Sequence, residues 1–168
     1  MFPPLETKTV SAAGVARLSG SREAAAYHEA GHAVVARRLD FDVVYVTLRE
    51  TEDANGHCMI IKAGWQGSSA QVAVLAEALL IQTMAGPLAE AKFTADPTSD
   101  GSDYDDKSLI AEYLPKARRS RQDLGEEALA LVQGHWATIT DVASELLRVG
   151  RISGDRLDII INRVEPPQ

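Results

Sequence analysis

The sequence predicts a mainly α domain of the α+β class, in which helices surround a small β-hairpin or sheet. Two segments, Ser21 to Leu39 and Ser69 to Phe93, are rich in alanine or in other apolar residues at helical spacing. Between them lie two short segments rich in β-branched residues, joined by the turn sequence Asp53-Ala54-Asn55-Gly56. The 168 residues are enough for one core that needs no disulfide.

One folded domain is expected at 21–163, between a flexible N-terminal tail at 1–20 and a loose C-terminal tail at 164–168. The first segment mixes Pro3-Pro4 with serine, threonine and glycine and contains few large apolar groups. The last residues, EPPQ, carry two prolines that cannot continue a helix.

The first half of the domain is predicted as helix, hairpin and helix. Ser21 can cap the first helix, with Glu23 in its first turn. The two predicted strands run from Val43 to Arg49 and from His57 to Lys62. The second helix follows the loop GWQGSS, and Gly86-Pro87 predicts a bend or break within it.

The second half is predicted to be entirely helical. Ser102 can cap a helix whose first turn is acidic, and Pro115 is expected to kink or divide that helix. A long amphipathic helix is expected from Glu126 to Val149, where Gly150 can end it. Ser153 can cap a short last helix, DRLDIIINRV.

Composition excludes several classes of protein. Lys and Arg total 17 against 24 Asp and Glu, so a net charge of −7 argues against tight nucleic-acid binding. Cys58 is the single cysteine and cannot form an internal disulfide. The most apolar stretch, Val72 to Ala91, holds four residues too polar for a membrane span: Glu77, Gln82, Pro87 and Glu90. Because the N-terminus also lacks a signal-peptide pattern, we expect a cytoplasmic protein without membrane insertion.

The residues that carry chemistry are His28-Glu29-Ala30-Gly31-His32, within the first predicted helix. Positions four apart share a helix face, so His28 and His32 present two imidazoles that can bind one zinc ion at about 2.0–2.1 Å. Glu29 follows the first imidazole and can reach an attacking water as general base. This is the HExxH arrangement of zinc metallopeptidases. A glycine at position 31 costs about 1 kcal/mol in a helix, which indicates close packing there.

A catalytic zinc usually has three protein ligands, and the residues after His32 do not supply the third. The residue types that fit are carboxylates elsewhere in the chain. His57 and His135 are isolated, and His57-Cys58 is rejected as a metal pair because neighbours on a strand point to opposite faces. The candidate carboxylates are Asp103, Asp105, Asp106, Glu77 and Glu90.

Four segments resemble the metallopeptidase domain of the FtsH family, whose members bind zinc at HEAGH. The first is AYHEAGHAVV, the second LLIQTMAGPLAEAKF, the third GSDYDDKSLIAEYL and the fourth SELLRVGRISGDRL. Together they span about Arg22 to Arg163. The resemblance implies a helical, zincin-like metallopeptidase domain. In the third segment it implies Asp103 as third zinc ligand, with Asp105 in an alternate register, and in the second it implies that Glu90 orients a ligand histidine.

The expected function is that of a zinc-dependent endopeptidase acting on unfolded or flexible protein segments. The chain has no Walker A sequence, so its hydrolysis is expected to need no ATP. An exposed edge of either hairpin strand could pair with an extended peptide. The alternative is a catalytically weak binding or assembly module, with structural zinc or with a partner ATPase. A homo-oligomer is left open.

Overall fold

The computed structural model describes residues 10–12, 22–48, 56–61, 68–96 and 104–166, with the backbone alone described at 10–12, 56–57, 61 and 104–105. This part of the chain is mainly helical and has a small antiparallel sheet. Its helices are α1 (Arg22–Arg38), α2 (Ser69–Thr94), α3 (Tyr104–Tyr113), α4 (Arg121–Gly134), α5 (Trp136–Val149) and α6 (Gly154–Val164). Its strands are β1 (Val10–Ala12), β2 (Asp42–Thr47), β3 (Gly56–Ile61) and β4 (Arg151–Ser153).

The sheet contains the expected hairpin, but its strands are not edges. The order is β1-β3-β2-β4 with antiparallel pairing throughout, so each hairpin strand has a neighbour on both sides. The hypothesis that β2 or β3 offers a free edge to a peptide is therefore wrong over Tyr45–Thr47 and Gly56–Cys58, which pair with β4 and β1. β1 lies within the segment expected to be a flexible tail, and β4 was not predicted. Both have three residues, too few for a period-two pattern to be recognised.

Small residues bring α1 and α2 into close contact. Gly31 is the tightest point: a Cβ built there would lie 2.7 Å from the carbonyl oxygen of Ala85 and 2.7 Å from the Cβ of Ala89. Ala26, Ala30 and other alanines of α1 are fully buried. The close packing expected at Gly31 is thus present. It fixes the distance between α1 and α2, the two helices that carry His28, His32 and Glu90.

Helix α2 runs without a break through Pro87, so of the bend or break predicted at Gly86-Pro87 the break is wrong. Burial explains this outcome, because tertiary packing can hold a helix through a proline that lacks an N–H to donate. Among the described residues, α2 is also the one helix long and apolar enough to cross a membrane by length and composition. Of its most apolar window, 61% is buried inside the protein, mainly against α1 and α4.

Besides β4, the second half differs from the prediction at a junction between two helices. The expected helix from Glu126 to Val149 is two helices, divided at His135, whose φ of −109° and ψ of 21° leave the helical region. The amphipathic pattern continues across this junction, so periodicity alone did not reveal it. Two other expectations are confirmed: α3 ends before a 3₁₀ turn at Leu114–Lys116 that contains Pro115, and the Ser153 hydroxyl accepts the N–H of Arg156 at 3.2 Å. Ser102, the expected cap of α3, lies outside the described residues.

Gly31→Ala should destabilise the fold, because the Ala85 backbone cannot move aside without moving α2. Overpacking typically costs about 1–3 kcal/mol, against a gain of about 1 kcal/mol in helix propensity. Urea unfolding followed by circular dichroism measures the net loss. Gly125→Ala in α4 is the matched control, since its Cβ would meet only the Met84 sulfur at 3.9 Å and the helix should gain stability. Equal stability of the two variants would contradict the packing argument.

Candidate metal site

Two imidazoles face each other on consecutive turns of α1. His28 and His32 are 2% and 1% exposed, and their Nε2 atoms lie 3.0 Å apart. Their rings meet nearly edge-on, with centroids 4.6 Å apart and an interplanar angle of 78°. The i, i+4 spacing in the sequence thus produces the shared face that a helix requires.

Helix α3 adds a carboxylate to this pair. Asp106 is fully buried, with Oδ2 3.4 Å from Nε2 of His28 and Oδ1 3.5 Å from Nε2 of His32. It lies on the buried face of α3, one turn before Leu109 and Ile110 and two turns before Tyr113. These three side chains form a buried group whose ligand atoms all lie within 4.8 Å of one another and that could hold a metal ion.

The opposite nitrogen of each ring is held by α2. Nδ1 of His28 lies 3.0 Å from Oε2 of Glu90, and Nδ1 of His32 lies 2.9 Å from the carbonyl oxygen of Gln82. A carbonyl only accepts hydrogen bonds, so Nδ1 of His32 carries the proton and Nε2 is left as the basic atom. The same tautomer is favoured for His28 by the Glu90 carboxylate. Such contacts orient metal-binding histidines.

The donor set fits a divalent metal. Two atoms bound at about 2.0–2.1 Å to a tetrahedral ion are about 3.3 Å from each other, close to the three separations of 3.0, 3.4 and 3.5 Å. Two neutral imidazoles with Nε2 atoms this close need a cation between their lone pairs. The Asp106 carboxylate balances part of the charge of such a cation.

Burial and the neighbouring carboxylates shift the pKa values of the two rings in opposite directions. Burial lowers the pKa of His28, but the hydrogen bonds of Asp106 and Glu90 outweigh it and raise this pKa to about 10. Burial lowers the pKa of His32 to about 4, and the charge of His28 contributes to that shift. Without a metal, the charged form is therefore favoured on His28 and disfavoured on His32.

Glu29 stands next to the group on α1 and is 2% exposed. Its negative charge contributes to the raised pKa values of the His28 ring and the Cys58 thiol. A buried carboxylate at this place is a candidate proton acceptor for a reaction at the metal.

The other residues singled out from the sequence have different places. Asp103 lies outside the described residues, and Asp105 is described by its backbone alone, so both remain predictions. Glu77 is distant from the group: its Oε1 accepts the backbone N–H groups of Arg118 and Arg119 at 2.8 and 3.1 Å. His135 pairs with Glu165 at 2.9 Å, and the side chain of His57 is not described.

A groove of about 990 Å³ lies between α2, α3 and α4, away from the histidines. On α2 it is lined by Met84, Leu88 and Ala91, among others. Gln82 and Glu90, which contact the histidines, lie about half a turn round the same helix. The groove and the metal group therefore occupy opposite faces of α2.

Cys58 should be inert in the folded protein. Its side chain is fully buried, and burial together with the charge of Glu29 raises the pKa of the thiol well above its usual range. Because the thiolate is the reactive form, a disulfide reagent at neutral pH should label the protein only after unfolding. The check is to measure, with and without denaturant, the absorbance of the coloured thiolate that a chromogenic disulfide reagent releases when it labels the protein. Rapid labelling of the native protein would contradict this burial.

A scan against protein-family models finds no family that matches this chain, and a search of curated proteins finds no match.

Proposed function

We propose that this protein is a zinc-dependent metalloendopeptidase. The observation that carries the proposal is the buried triad of His28, His32 and Asp106 at metal-ligand spacing, with Glu29 beside it on the same helix. Three protein ligands and one open position are typical of catalytic zinc, whereas structural sites use four protein ligands. The resemblance of HEAGH and its flanking segments to the FtsH peptidase family supports the same reading.

The neighbour of the triad supports zinc as the metal. Two histidines and one carboxylate also bind non-haem iron(II) in oxygenases. Glu29, however, is not one of the three grouped residues, and a general base next to the metal is needed for hydrolysis. The i, i+4 histidine pair with glutamate in the second position is the arrangement of zinc peptidases. Metal analysis of the purified protein distinguishes zinc from iron directly.

Each residue has a distinct role in the proposed reaction. A bound zinc supplies Lewis acidity, which polarises the scissile carbonyl and makes water acidic enough to lose a proton near neutral pH. Glu29 accepts that proton from the attacking water and later passes it to the leaving amine. His28, His32 and Asp106 hold the ion, while Glu90 and the Gln82 carbonyl fix the orientation of the two rings.

The substrates we propose are unfolded or flexible protein segments, cleaved without ATP. An extended backbone has its peptide groups free to enter a site, whereas a folded protein must first be opened. The chain contains no Walker A sequence that would couple ATP hydrolysis to such opening. Oligomerisation is not needed for the triad, since all three side chains belong to one chain.

The test is zinc content together with cleavage of casein and of a stably folded protein, each with and without ATP. We expect about one zinc per chain. Casein should be cleaved and the folded protein should not, with the same result in the presence of ATP. A chelator should abolish the cleavage of casein. ATP-stimulated degradation of the folded protein would contradict the proposal. A zinc-loaded protein that cleaves neither substrate would favour the binding or assembly module, or a requirement for a partner ATPase.

A further inference from the structure

Gly86 of α2 leaves the space in which the His32 ring lies. A Cβ built on Gly86 would be 2.3 Å from Nε2 of His32, 2.5 Å from Cε1 and 2.7 Å from Cδ2. All three separations are far shorter than a carbon can approach another heavy atom without a bond. Any side chain at position 86 therefore collides with His32 at the nitrogen that faces the metal position.

Contacts at both ring nitrogens set the orientation of His32. Its Nδ1 is tied to the Gln82 carbonyl at 2.9 Å, and its Nε2 faces His28 at 3.0 Å and Asp106 at 3.5 Å. Gln82, Gly86 and Glu90 are spaced four residues apart, so they form one face of α2 over consecutive turns. On that face Gln82 and Glu90 contact the two imidazole rings, and Gly86 between them leaves the space that the His32 ring occupies.

At the glycines within the other helices, an added Cβ would not meet a histidine of the metal site. At Gly31 the added Cβ would meet the Ala85 backbone, so that glycine concerns helix packing. At Gly125 the nearest atom would be the Met84 sulfur at 3.9 Å, and at Gly134 nothing lies within 4 Å. Among these glycines, Gly86 is the one whose added Cβ would meet a metal-site side chain.

We propose that Gly86 is a positioning residue for the metal site, kept without a side chain so that His32 can direct Nε2 towards the ion. The proposal rests on the metal site of the proposed function and not on peptidase activity. The end of the His32 side chain can move more easily than the α2 backbone. Gly86→Ala is therefore expected to leave the fold intact and to displace the ring.

The first measurement is metal affinity, from Co²⁺ absorption and from Zn²⁺ competition with a chromophoric chelator. Gly86→Ala should weaken binding at least about tenfold, the size of effect expected when the orientation of a ligand histidine is lost. Gly125→Ala, which makes the same substitution in a helix with open space, should bind like the unmodified protein. Unchanged affinity in Gly86→Ala would overturn the proposal.

The second measurement separates steric coupling from a general effect on α2. Urea unfolding is measured without metal for the unmodified protein, Gly86→Ala, His32→Ala and the double variant. In the His32→Ala background the collision is gone, so Gly86→Ala should raise the unfolding midpoint through helix propensity. With His32 present that gain should be absent or reversed. An equal effect in both backgrounds, or a double variant that fails to fold when His32→Ala folds, would overturn the proposal.

These readouts also separate this proposal from the proposed function. The unfolding cycle is measured without metal and needs no activity. If the protein cleaves nothing, or if it holds a metal other than zinc, the coupling between positions 86 and 32 still decides the role of Gly86.

Discussion

Glu29→Gln should abolish most casein cleavage while leaving the fold and the zinc content unchanged. Gln has nearly the shape of Glu but cannot accept the proton of the attacking water. General-base assistance is worth about 10²–10⁴-fold in rate, and a loss of that size is expected in kcat. Zinc should remain near one per chain, because the buried group with metal-ligand spacing is formed by His28, His32 and Asp106.

The matched control for this variant is Glu23→Gln, in the exposed first turn of the same helix. It makes the same chemical change far from the triad and should retain activity. Cleavage by Glu29→Gln at the rate of the unmodified protein would place the general base elsewhere. Loss of zinc together with activity would instead make Glu29 a metal ligand, which the proposed mechanism does not allow.

The sequence is most informative where a short local pattern determines geometry. The i, i+4 spacing of His28 and His32 sets the shared face, because helix geometry alone brings both rings together. Gly31 is informative for the same reason, since glycine within a helix has a cost that packing must justify. Features that depend on distant residues were missed: β4 exists because it pairs with β2, and the division at His135 leaves the hydrophobic pattern unchanged.

The third member of the triad also depends on residues that are distant in the sequence. Asp103, Asp105 and Asp106 occupy one short acidic segment, and family resemblance pointed to Asp103. Which carboxylate faces the histidines depends on the rotation of α3, which is set by its packing against α2. A signal was nonetheless available: Leu109, Ile110 and Tyr113 are the buried positions of α3, and one turn earlier the same stripe reaches Asp106.

Asp106→Asn should remove most of the metal affinity, more than the 10–100-fold typical of losing a residue that only orients a ligand. The Asp106 carboxylate lies within 3.5 Å of both Nε2 atoms, and it is fully buried, where a negative charge requires a cation. Asn keeps the shape but carries no charge. Zn²⁺ competition with a chromophoric chelator measures the loss, and circular dichroism verifies the fold.

Asp103→Asn and Asp105→Asn complete this test, because they make the same change at the two positions that the family resemblance implies. If Asp106 is the third ligand, both variants should hold zinc with the affinity of the unmodified protein and cleave casein at a similar rate. If Asp103→Asn releases zinc while Asp106→Asn retains it, the resemblance assigns the ligand correctly and the proposed role of Asp106 is wrong. Comparable losses in Asp103→Asn and Asp106→Asn would mean that each carboxylate contributes to holding the ion.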